Sequence, residues 1–235
     1  MMRLLLNILE QINVFVMESG PTHRRRFMKT KEIIIASSGQ GMDEALLETE
    51  RIGVESGLTP KEVLRLRLLT EELFGMMRSI LGLVLARFQV EEENNTFSIR
   101  LDSTVQMTQE MRKQLMSVSS EGRNAAAVGF MGKLRDMISV ALLPNESGLS
   151  ILSGFSMGMM STVRNTDAIA RQANEKMFSW SMSKYKSEVE GLRDEDREAE
   201  EAWDELEKSI VANIADEVSV LVQGSDVKII ITKTF

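Results

Sequence analysis

The segment that most restricts the fold of this chain is a long apolar helix with a clearly marked beginning. Thr59 is a good N-cap residue, Pro60 suits the first helical position, and Glu62 stands three residues after the cap, so Thr59-Pro60-Lys61-Glu62 reads as a capping box. Beyond it, Val63, Leu64, Leu66, Leu68, Leu69, Leu73, Phe74, Met76, Met77 and Ile80 cover more than half of the cylinder, which predicts deep burial.

The flanking sequence supplies the layer against which such a helix can lie. From Lys31 to Ala36 three isoleucines form a β-branched run that Ser37-Ser38-Gly39-Gln40-Gly41 breaks, giving a strand and its turn. Asp43 to Val54 has helical spacing and ends near Gly57. After the long helix, Phe88 and Val90, then Phe97, Ile99 and Leu101, alternate with polar neighbours around Asn94-Asn95, which predicts a hairpin. A second hairpin is expected over Ser219–Val222 and Val227–Thr232, around Gly224-Ser225.

Between the hairpins the reading is coarser. Met107–Val118 and Ala125–Leu143 are helical by pattern, with Pro144 stopping the second, and 145–174 has no clean period and reads as irregular. Glu188–Glu201 is dense in charge and reads as a solvated helix or loop, and Trp203–Ala215 reads as one amphipathic helix. This order favours a two-layer α/β sandwich with a mixed, largely antiparallel sheet and helices on one face. Met28 opens a segment resembling an ordinary protein start, so 1–27 is read as an extension and 28–235 as one domain.

Charge and composition narrow the function classes. The 235 residues include 28 basic and 35 acidic ones, and a net charge of -7 repels nucleic-acid phosphates and anionic lipid. The basic run Arg24-Arg25-Arg26 is the exception to that balance. With no cysteine and His23 alone, the chain lacks a thiolate or histidine set for zinc and a Ser-His-Asp triad. Leu4–Met17 is interrupted by polar residues and falls short of the roughly 20 apolar residues that span a bilayer. The Arg24-Arg25-Arg26 run follows rather than precedes the apolar part, unlike the charge of a secretory signal, so a cytoplasmic protein without membrane or nucleic-acid partners is expected.

The stretch GLTPKEVLRLRLLTEELFGMM, with the strand and helix before it, resembles the long helix of the histidine-kinase-like ATPase superfamily, in particular the anti-sigma-factor serine kinases. The resemblance implies a Bergerat-type fold that holds ATP and magnesium. In that family a Glu on the helix activates a nucleophile or water, and an Asn four residues later holds the magnesium. Glu71 and Glu72 match the Glu, while Gly75 and Met76 stand one turn on.

The family's second strand of the first hairpin ends in an Asp that accepts a hydrogen bond from the adenine amino group. Asp102 matches it, with Ser103, Thr104 and Val105 in place of the glycines that follow. A later glycine-rich stretch leads into a helix whose N-terminus faces the phosphates. Gly122, Asn124, Gly129, Gly132 and Lys133 resemble it.

Each of these residues also has a structural reading. Glu71 and Glu72 can pair with Arg67 or Arg78, Asp102 can form a turn, and the glycines can serve packing. Met157, Met159 and Met160 lie where the family places its nucleotide lid, and an exposed apolar lid would be a docking surface. Three functions remain open at this point. The first is a regulatory protein that binds nucleotide weakly or not at all and docks a protein partner, such as a sigma factor or its antagonist. The second is an active ATP-dependent serine kinase or ATPase, and the third is an oligomeric scaffold, a homodimer being its simplest form.

Overall fold

A computed structural model describes residues 27–82, 84–105, 134, 137, 138, 141, 142, 177–193 and 197–235. Its strands are β1 (Phe27–Lys29), β2 (Ile33–Ala36), β3 (Leu85–Glu93), β4 (Thr96–Thr104), β5 (Met177–Ser181), β6 (Glu217–Gln223) and β7 (Asp226–Thr234). The helices are α1 (Met42–Glu55), α2 (Pro60–Leu81), α3 (Met182–Leu192), α4 (Arg197–Lys208) and α5 (Ile210–Ile214). The strands join in one sheet of order β1-β3-β4-β7-β6-β5, and β2 also pairs with β3.

Where a mixed sheet was expected, every strand pairing among the described residues is antiparallel. The physical reason is that β3–β4 and β6–β7 are tight hairpins, and β7 lies beside β4, so no parallel crossover is needed. Asn94 and Asn95 both have positive φ, 53° and 63°, the backbone that a two-residue hairpin turn requires.

The capping box forms as its sequence predicts. The Glu62 N–H donates to Thr59 Oγ1, and Glu62 Oε2 accepts the Thr59 N–H at 2.8 Å. From that anchor α2 runs for 22 residues and buries Leu66, Leu69, Leu73, Phe74, Met77 and Ile80. The Phe74 ring meets Phe88 of β3 edge to face at 5.4 Å between centroids, which fixes α2 against the sheet. A buried hydroxyl contact, Thr70 to Thr49 at 3.3 Å, joins α2 to α1.

Alternation divides the sheet into two unlike faces. On one face Ile33, Phe88, Leu101, Ile229, Val220 and Trp180 lie in a single register row across six strands, and all are buried. Trp180 meets Tyr185 of α3 at 5.9 Å between ring centroids, so α3 lies on the same side as α2. Moving one residue along each strand turns to the other face, where Ile34, Arg87, Asp102, Lys228, Leu221 and Ser179 form the neighbouring row. That outer row is exposed or half-buried throughout.

Several elements depart from the sequence reading. Phe27 pairs with Glu93, so the sheet takes in the last residue assigned to the extension. Residues 1–26 lie outside the described residues. β5 was not anticipated, and the charged stretch 188–201 holds the end of α3 and the start of α4. The helix expected over 203–215 is two, because Ser209 caps a new one: its Oγ accepts the Ala212 N–H at 3.3 Å, and α5 starts there.

The outer edge of β2 is covered by its own loop. Ile33 and Ile35 face β3, so the peptide groups of Ile34 and Ala36 point away from it. There Ala36 N–H donates to Gln40 O at 2.9 Å, and Gly41 presses against the Ile34 carbonyl oxygen. Gly41 has φ +78°, and a Cβ built on it would collide with that oxygen.

Candidate functional site

α2 carries Glu71 on an exposed part of its surface, where Glu71 Oε1 accepts from Arg67 Nε at 3.0 Å. Arg67 also pairs with Glu50 of α1, so its guanidinium ties the two helices together. The bond from Glu50, then that from Glu71, raises the Arg67 pKa above its ordinary value. Glu72 is half-buried and makes no hydrogen bond or ion pair among the described residues. One turn further, Gly75 faces open space and Met76 is buried in the core. Neither residue offers an oxygen from its side chain to a cation.

Asp102 lies in the outer row between Arg87 and Lys228, and its Oδ1 meets Lys228 Nζ at 3.4 Å. Its strand neighbours Leu101 and Ser103 face the helices, and the Ser103 hydroxyl donates to Leu85 O at 2.8 Å. The residues in place of the family's glycines are also engaged. Thr104 Oγ1 donates to Asp226 Oδ1 at 2.7 Å, and Val105 N–H donates to Ser225 O at 2.8 Å.

The structure therefore does not bring these acids together. Glu71 and Glu72 are on a helix packed against Phe88, and Asp102 projects from the face opposite Phe88. Magnesium–ATP does not fit these three residues as one site: an adenine acceptor and a metal-anchoring helix must share a face of the sheet. Gly122, Asn124, Gly129, Gly132 and Lys133 lie outside the described residues, as do Met157, Met159 and Met160. Leu134 and Ile138, shortly after Lys133, are fully buried in the common core.

Two shallow cavities open on the outer face. One, of about 220 Å³, is lined by Arg87, Asp102, Gln223 and Lys228 among others. The sequence reading does not single out Arg87 or Lys228: the first hairpin's register places Arg87 opposite Asp102, whereas Lys228 reaches it only through the long-range pairing of β4 with β7. The second, of about 490 Å³, lies among Phe27, Glu91, Glu93 and Asn94. Among the described residues no group of three or more His, Cys, Asp or Glu side chains could hold a metal ion. No helix among them is long and apolar enough to cross a membrane.

The most heavily bonded carboxylate among the described residues lies elsewhere. Glu217 of β6 accepts from the backbone N–H groups of Met182, Ser183 and Val218, and from the hydroxyls of Ser181 and Ser183. Burial works to raise this carboxyl, but the bonds from Ser183, Ser181 and Val218 together outweigh it and hold the pKa below the ordinary value. Here the N-terminus of α3 is satisfied from within the chain. Comparison of the chain with protein-family models, curated proteins and solved structures found no match.

Proposed function

We propose that this chain is a regulatory protein on a histidine-kinase-like ATPase scaffold, resembling the anti-sigma kinases, that has lost nucleotide chemistry and acts by docking a protein partner. Support for the scaffold comes from the element order: a strand, a helix, a long capped helix and a hairpin, with a closing hairpin whose last strand, β7, lies beside β4 of the first hairpin. The placement of Asp102 carries the loss of chemistry. Its carboxylate pairs with Lys228 on the face away from α2, and Gly75 and Met76 follow Glu71 and Glu72 where a metal-holding Asn belongs. Phosphoryl transfer depends chiefly on positioning the phosphates and neutralising their charge, so a helix without that ligand leaves the reaction without its metal. The partner class implied by the resemblance is a sigma factor or an antagonist of one.

The test is a melting-temperature titration with ATP, with and without magnesium. A ligand at a hundred times its dissociation constant would stabilise the fold by about 2.7 kcal/mol, or about 5–10 °C for a chain of this size. No shift in either form is expected. A magnesium-dependent shift accompanied by ATP hydrolysis would replace this reading with that of a working kinase or ATPase.

A further inference from the structure

We draw no further inference here: the strongest candidate, the shallow cavity on the outer sheet face between Arg87, Asp102, Gln223 and Lys228, is rimmed by charges of both signs, and nothing in the structure shows what ligand or partner covers it.

Discussion

Asp102 of β4 and Lys228 of β7 face each other across a hydrogen-bonded strand pair, 3.4 Å apart, on the side of the sheet that the described helices leave open. Both side chains are about one-third exposed, so water screens much of their attraction. Replacing Asp102 with Asn is expected to change stability by less than about 1 kcal/mol in thermal or urea unfolding. The variant is also expected to respond to ATP as the parent does. A parental nucleotide shift that vanished in Asp102→Asn would return this carboxylate to an adenine site.

Glu217 has the opposite character, because one carboxylate serves five donors at the point where β5 runs into α3. Glu217→Gln should lower stability by about 1–2 kcal/mol, as loss of a helix cap does. Its native pKa is depressed, so its contribution is complete above the unfolded value near 4.5 and is lost as pH falls through the native one. Denaturant unfolding followed from neutral pH into that acid range should therefore fall less steeply for the variant. Parallel curves would show that the carboxylate charge is not what holds α3.

Two glycines should respond to the same substitution with opposite sign. Gly41 has positive φ and no room for a Cβ beside the Ile34 carbonyl, so Gly41→Ala is expected to cost about 1–3 kcal/mol. Gly75 lies in the exposed middle of α2 with nothing within reach of an added methyl, so Gly75→Ala should stabilise by about 1 kcal/mol. Urea midpoints of the two variants decide the matter. Destabilisation by Gly75→Ala would mean that this point of α2 is covered in the folded protein.

Tyr185 is the chain's one tyrosine, so phenolate absorbance reads it alone. Burial, then the Glu205 and Glu188 carboxylates, push its pKa up to about 12. A raised native pKa means that its share of stability is intact below the unfolded value near 10 and is lost as pH climbs toward 12. A spectrophotometric titration of the native protein should show ionisation at about 12 and the unfolded chain about two units lower. Native ionisation near 10 would remove Tyr185 from the interior.

How much of this was legible depended on how local each signal was. The capping box of α2 and the two hairpins lie within short windows, where alternation and turn residues such as Asn94-Asn95 act on their own neighbours. β5 was harder to find: Phe178 and Trp180 do alternate with serines, but five residues pair with β6 only across about forty residues of chain. The split between α4 and α5 rests on one serine, whose capping role is visible only once Ala212 N–H is in place. The outward direction of Asp102 was present in the sequence, since Phe97, Ile99 and Leu101 facing inward leave it the other side.

The loop that folds back over β2 also limits how copies of this protein can associate. A strand arriving from another molecule would find the Ala36 amide already bonded to Gln40 and the Ile34 carbonyl crowded by Gly41, so the ladder is hindered at these two residues. Backbone pairing between copies is hindered at that border, whereas at the opposite end of the sheet β5 pairs with β6 alone among the described strands.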